Sequence, residues 1–264
     1  MVRSRMIMSK MKALIFDCDG VIAETEKDGH RESFNRAFKE AGIDARWSVE
    51  EYQELLKTAG GKERMKVYFS KNQSRFPGIV FDDDIIRDLH KRKTEIFMEM
   101  CRNGELPVRP GIRRIINEAH EKGLILAVCS TSNEKSVETL IRSSVGEKEF
   151  CYFNSIFAGD IVRHKKPAPD IYNLVKEKYG LEGNECFVVE DNRNGLLAEK
   201  SAGMHCIVTV SYYSTEEDLK EADMVVSSLG EPGEPAEVLK PNCNLTRDIK
   251  YITVDLLEEI IRKG

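Results

Sequence analysis

The chain has 264 residues, 41% of them apolar and 32% charged, with a formal net charge of −5. This length suits one large α/β domain carrying a smaller insertion. The acidic balance speaks against a nucleic-acid partner, though a local basic pocket for a small anion is compatible with it, and no apolar run approaches the roughly 20 residues a membrane helix needs.

The leader MVRSRMIMSK is basic and short and lacks a signal-peptide core. The end of an organelle transit peptide and a disordered start both remain open for it. Lys12-Ala-Leu-Ile-Phe16 reads as a buried strand cut off by Asp-Cys-Asp-Gly. From about Glu24 to Gly104 charge and helical spacing dominate. Phe34, Ala37 and Phe38 share one face, as do Leu89, Ile96 and Phe97. We read a helical insertion over 26–104, with the catalytic core formed by 10–25 and 105–264. Leu106-Pro-Val-Arg-Pro-Gly111 marks the boundary and a helix should follow.

An α/β rhythm begins there. Leu124–Cys129, Ser155–Ala158, Cys186–Val189, His205–Val210 and Met224–Val226 read as strands with helical segments between most of them. That implies a parallel sheet with right-handed crossovers. Gly230 to Asn244 reads as a loop, Tyr251–Val254 as a late strand and Asp255–Ile261 as an end helix. The seven cysteines include no CxxC pair and are expected to be buried free thiols of a reducing compartment.

Four polar clusters follow strand or loop boundaries: Asp17 with Asp19, Ser130-Thr131-Ser132, Lys165-Lys166, and Glu190-Asp191. In an open parallel sheet, ligands bind beyond the carboxyl ends of the strands. The pattern therefore gathers two acid pairs, hydroxyls and an ammonium around one crevice. Four carboxylates repel one another, a hard divalent cation relieves the repulsion, and oxygen ligands suit magnesium. Bound magnesium favours a phosphate substrate, with a lysine and hydroxyls on the other phosphoryl oxygens. Singly, each cluster has a plain structural explanation: a turn, a helix cap, an exposed loop, a capping acid pair. All four in this order are hard to reconcile with chance.

At these residues the sequence resembles the haloacid-dehalogenase superfamily, through FDCDG (Phe16 to Gly20), VCSTS (Val128 to Ser132), KKPAPD (Lys165 to Asp170) and VVED (Val188 to Asp191). The resemblance implies a Rossmann-like α/β core with an inserted helical cap. It implies Asp17 as nucleophile and Asp19 as general acid and then base. Ser130 and Lys166 would contact the transferring phosphoryl group. Mg2+ would be held by Asp17, the Asp19 carbonyl, Glu190 and Asp191. Relatives often carry Ser where this chain has Asn192, which touches only the surroundings of the metal site.

The stretch Asp17 to Lys39, the string Gly60-GKERM-Lys66, Cys129 to Ser136 and Phe157 to Ile161 go further and resemble the CbbY branch. That branch implies a sugar-bisphosphate phosphatase associated with the Calvin cycle, acting on xylulose 1,5-bisphosphate, with a β-phosphoglucomutase-like sugar-phosphate mutase or a broader small-molecule phosphatase as the alternatives. A second phosphate needs a second basic site. Gly61, Lys62 and Arg64 are candidates for it, and His90, Arg92 and Lys93 form another basic cluster; both groups also fit a solvated helix face. Glu24 and His30 are read as sugar-hydroxyl contacts or hinge markers, and Ser132 and Asn133 as substrate contacts. A monomer is expected, in the plastid stroma of a photosynthetic eukaryote or otherwise in the cytoplasm.

Overall fold

The computed structural model describes residues 11–58, 60–241, 245 and 248–263. The chain divides into two units, one comprising Met1–Glu24 and Pro107–Gly264, the other Thr25–Leu106.

The Thr25–Leu106 unit carries helices and no strand among its described residues: α1 (Arg31–Glu40), α2 (Val49–Leu56), α3 (Gly61–Lys71) and α4 (Asp83–Arg102). Periodicity explains the packing. Phe34, Ala37 and Phe38 form the buried stripe of α1, and Leu89, Ile96 and Phe97 lie on that of α4, which packs against it. Trp47 sits between Phe34 and Phe38, ring centroids 4.6 and 5.1 Å away. Its backbone is fixed from both sides by Asn35, which accepts from Trp47 N at 2.7 Å and donates to Trp47 O at 3.0 Å. Ser48 caps α2 through Glu51 N, and Asp82 caps α4 through Asp84 N and Ile85 N.

The other unit is built on a seven-stranded sheet in the order β3-β2-β1-β4-β5-β6-β7. Its strands are β1 (Ala13–Phe16), β2 (Ile125–Ser130), β3 (Ser155–Ala158), β4 (Cys186–Glu190), β5 (His205–Thr209), β6 (Met224–Val226) and β7 (Val238–Pro241). All pair in parallel except β7, which runs antiparallel to β6. Helices α5 (Ile112–Glu121), α6 (Glu134–Ser144), α7 (Glu147–Phe150), α8 (Asp170–Tyr179), α9 (Arg193–Ser201) and α10 (Val254–Lys263) complete it. The β1 and β4 strands are buried along their whole length, as expected for parallel strands covered on both faces. The strand order reverses beside β1. The crevice of an open α/β sheet therefore lies at the carboxyl ends of β1, β2 and β4.

Two expectations are corrected. The segment Gly230–Asn244 is not all loop: Val238–Pro241 adds an edge strand, with Val226 paired to Val238 and Val225 to Lys240. Pro241 is tolerated there because an edge strand does not need every N–H; residues 242–244 lie outside the described residues. Conversely, Tyr251–Val254 is not a strand. Thr253 Oγ1 accepts from Leu256 N, and Val254 already opens α10. The apolar pair Ile252 and Val254 looked like strand alternation, but the Thr-x-x-Leu helix start prevails.

The chain beyond Gly230 is nonetheless fastened. Arg114 of α5 donates to Gly230 O at 2.7 Å and Ile252 O at 2.8 Å, and Glu118 accepts from Val254 N at 3.0 Å. Of the thiols, Cys18, Cys101, Cys129, Cys186 and Cys206 are buried and free, whereas Cys151 is exposed; Cys243 lies outside the described residues. No helix among the described residues is long and apolar enough to cross a membrane.

Candidate active site

Sheet register sets the site. Phe16 is level with Val128 on β2 and Val189 on β4, and Asp17 N donates to Val189 O at 2.9 Å. The next residues of the central strands, Asp17, Cys129 and Glu190, therefore emerge side by side. Lys166, from the loop after β3, reaches into this row. Its Nζ donates to Asp17 Oδ1 at 2.6 Å, to Glu190 Oε1 at 2.6 Å and to Cys129 O at 2.9 Å. Lys165 instead pairs at the surface with Asp160.

Asp17, Glu190 and Asp191 are buried, and each offers a carboxylate oxygen within 4.8 Å of the others. Burial pushes the Asp17 carboxyl up to about 8; Lys166 opposes this, while Glu190 and Asp19 reinforce it. Burial, with Asp17 and Glu190 beside it, holds Asp191 well above the usual carboxylate range. Burial alone would lower the Lys166 ammonium, but Asp17 and Glu190 more than offset that and hold it above its ordinary value. Lys166 supplies one positive charge to three buried acids. The donor set is all oxygen and electrostatically short of cations, so it fits a hard divalent ion.

Glu190 is fully enclosed. Its Oε1 also accepts from the Tyr172 hydroxyl, its Oε2 accepts from Asp191 N at 3.1 Å, and a Cβ at Gly195 would overlap its carboxylate. The Lys166 ammonium lies 4.9 Å from the centroid of the Tyr172 ring. Sequence reasoning missed Tyr172; only its place on the inward face of α8, just past KKPAPD, hints at it. Asn192 caps α9 by accepting from Gly195 N at 3.0 Å, and it donates to Asp191 Oδ1 at 2.5 Å. The departure from Ser at this position thus keeps a side chain able both to cap and to hold the acid.

Asp19 points elsewhere. Its Oδ2 accepts from the Ser132 hydroxyl at 2.5 Å, and the Ser130 hydroxyl accepts from Ser132 N at 3.0 Å. Asn133, expected on the substrate, uses its side-chain oxygen to accept from Lys135 N as the cap of α6. Gly20 turns the loop with φ +80°, and a Cβ there would collide with the Asp191 carboxylate. Glu24 accepts from Tyr212 N at 3.3 Å.

The remaining candidates belong to the helical unit. Lys93 Nζ and His30 Nδ1 are 2.9 Å apart and buried, with the His30 ring 4.2 Å from that of Phe97. Gly61 opens α3, and a Cβ there would come within 2.8 Å of His90 Nε2. Burial, then Lys93, Lys62, His30 and Arg64, lower the His90 imidazole to about 4, so it is neutral at neutral pH. Lys62 is exposed. Arg64 donates to Thr58 O at 3.1 Å and to the Tyr52 hydroxyl at 2.8 Å, and that hydroxyl donates to Glu26 at 2.7 Å. Arg92 does not join this group. It pairs with Glu40, Glu95 and Glu99 on an exposed helix face.

The model of the haloacid dehalogenase-like hydrolases matches residues 11–203. The chain belongs to this family. A CBBY-like protein of Arabidopsis thaliana is 48% identical over 84% of this chain and 70% of its own, and the protein CbbY of Cereibacter sphaeroides is 41% identical over 84% and 94%. Among solved structures, CbbY from Rhodobacter sphaeroides in complex with phosphate superposes with a TM-score of 0.74 at 40% identity, covering 83% of this chain and 94% of that one. A mutant of the same protein in complex with xylulose-(1,5)bisphosphate gives 0.74 at 39% identity, covering 84% and 98%. The expected fold and enzyme class, a haloacid-dehalogenase-like phosphatase of the CbbY kind, therefore stand.

Proposed function

We propose that this phosphatase removes a phosphate from a sugar bisphosphate, xylulose 1,5-bisphosphate first among them, through an aspartyl-phosphate at Asp17. The observation that carries the reading is the separation of roles between the two acids of one loop. Asp17 is locked against Lys166, while Asp19 is held apart by Ser132. The complexes of the CbbY relative with phosphate and with xylulose bisphosphate support the substrate class.

In this reading Asp17 attacks phosphorus through a carboxylate oxygen as the bond to the sugar oxygen breaks. Asp19 protonates that leaving oxygen. It then takes a proton from the water that attacks the aspartyl-phosphate, which frees phosphate and restores Asp17. Lys166 neutralises charge on Asp17 and on the transferring group, and Ser130 donates to a phosphoryl oxygen. Asp17, Glu190, Asp191 and the Asp19 carbonyl would hold Mg2+, with Glu190 also accepting from Lys166. The ion would supply charge stabilisation to the phosphoryl group. Gly61, Lys62, Arg64 and Lys93 of the helical unit are assigned to the second phosphate, and His30 of that unit and Glu24 of the sheet-bearing unit to sugar hydroxyls.

The test is phosphate release, with and without Mg2+, from xylulose 1,5-bisphosphate, ribulose 1,5-bisphosphate, β-glucose 1-phosphate, phosphoglycolate and an aryl phosphate. Preference for the xylulose compound supports the reading. An isomeric sugar phosphate in place of free phosphate would make the protein a mutase. Equal slow release from all of them would leave the chemistry and remove the substrate.

A further inference from the structure

Arg109 lies in the short segment between Leu106 and α5 that the sequence marked only as a boundary. Its guanidinium is half-buried, and every acceptor it finds in hydrogen-bonding range on the main chain is a carbonyl. It donates to Gly20 O in the loop after β1, to Thr209 O at 3.1 Å and Val210 O at 2.7 Å at the end of β5, and to Ser227 O at 2.8 Å just past β6. Its own backbone N–H donates to Ile22 O at 2.9 Å. A guanidinium presents five N–H groups in a fixed plane, so it can join three chain segments at once; an ammonium cannot reproduce that fork. Burial pulls the Arg109 pKa down, while Glu24 and Asp191 favour the charge.

The fork acts on the residue that orients the catalytic loop. The Gly20 N–H donates to Ala23 O at 2.9 Å, which fixes the Asp19–Gly20 peptide plane. The Gly20 carbonyl, held by Arg109, fixes the next plane. Gly20 also packs on the Asp191 carboxylate with no room for a Cβ. With both planes tied, the direction of the Asp19 carbonyl and the seat of Asp191 follow.

We propose that Arg109 is a positioning residue of the phosphatase reaction, which sets the Asp19–Gly20 turn against Asp191 by clamping the Gly20 carbonyl to the ends of β5 and β6. This rests on the function proposed above. It assigns work to a residue outside the four sequence motifs, and Arg109 itself touches no reacting atom.

The experiment compares the full-length protein with R109K and R109A, using phosphate release from an aryl phosphate, Mg2+ binding by calorimetry and thermal unfolding. Both variants should lose about 100-fold in kcat, the scale of effect expected when a reacting group is displaced by about 1 Å. KM for the aryl phosphate should stay within about twofold, because uniform binding is untouched. Mg2+ should bind more weakly in both. Guanidinium ion at non-denaturing concentration should restore part of the R109A rate, and methylammonium should not. A folded R109K or R109A with wild-type kcat and wild-type Mg2+ affinity overturns the proposal. So does a lowered melting temperature with unchanged Mg2+ affinity and no guanidinium rescue, which would make Arg109 a brace of the fold alone. A wild-type protein that releases no phosphate refutes the phosphatase reading instead, and the Mg2+ comparison then still decides the role of Arg109.

Discussion

The Ser132 hydroxyl donates to Asp19 Oδ2 at 2.5 Å, joining the loop after β2 to the loop after β1. This bond ties Asp19 to Ser132, whereas Asp17, separated from it by a single residue, is tied to Lys166. A hydrogen bond to a charged group contributes about 1.5–3 kcal/mol. Ser132→Ala should therefore lower the melting temperature by a few degrees and kcat by about 10- to 100-fold, with KM nearly unchanged, as steady-state kinetics and a thermal melt would show. An unaltered kcat would remove Ser132 from the machinery.

Lys166 is the common partner of two buried acids, and removing one member of a buried ion pair typically costs about 3–5 kcal/mol. Lys166→Met should abolish phosphate release and lower the melting temperature in chelator. Added Mg2+ should recover more stability in the variant than in the parent, because the ion replaces the missing positive charge. Equal Mg2+ shifts in the two proteins would show that lysine and metal do not share this task.

Glu199 sits fully buried on α9, with the Lys200 ammonium 3.9 Å away. Burial above all raises its carboxyl from 4.5 to about 9; Lys200 opposes the rise and Asp223 adds to it. The folded state then holds a proton that the unfolded state has released. Its stabilising contribution is complete below the unfolded pKa near 4.5 and is lost as pH rises toward 9, by at most about 1.4 kcal/mol per pH unit. Glu199→Gln should be the more stable protein at pH 8 and lose that advantage below pH 5, as read by denaturant melts. A pH-independent difference would mean that Glu199 is ionised in the fold.

Arg64 tests the assignment of the second phosphate. Arg64→Ala should raise KM for xylulose 1,5-bisphosphate at least about tenfold, as expected for the loss of a charge-assisted contact. It should leave turnover of an aryl phosphate unchanged. Loss on both substrates would point instead to the Tyr52–Glu26 network that Arg64 now completes.

Magnesium removal gives the plainest check. Chelator should stop phosphate release and shift the melting transition downward, since Asp17, Glu190 and Asp191 then repel one another with Lys166 as their hydrogen-bonded cation. Activity that persists in chelator would exclude the metal from the mechanism.

The legible parts were those written as short-range patterns. Apolar runs of four to six residues became β1, β2, β4 and β5 because a strand covered on both faces must be apolar along its length. The polar residues at their carboxyl ends met because parallel register puts those ends level. Side-chain partnerships between distant segments were not legible. Nothing in the spacing marks Tyr172 as the donor to Glu190, or Arg109 as the clamp on Gly20. Arg92 and Lys93 are neighbours in sequence, yet one lies on a solvent face and the other is buried against His30. Helical rotation separates them, and the charge run alone conceals it. At Tyr251–Val254 alternation suggested a strand, and the local capping of Thr253 outweighed it.

The short antiparallel bridge between Ala23 and Val108 has a consequence for modularity. The chain leaves the sheet-bearing unit and re-enters it at adjacent points, held together by the Ala23–Val108 pairing and the Arg109–Ile22 hydrogen bond. Topologically, everything from Thr25 to Leu106 is the content of one hairpin. Since closure entropy grows only with the logarithm of loop length, that content is exchangeable at little thermodynamic cost. A lineage could graft in a different helical insert, or an engineer a two-residue turn, and the same four strand ends would still converge.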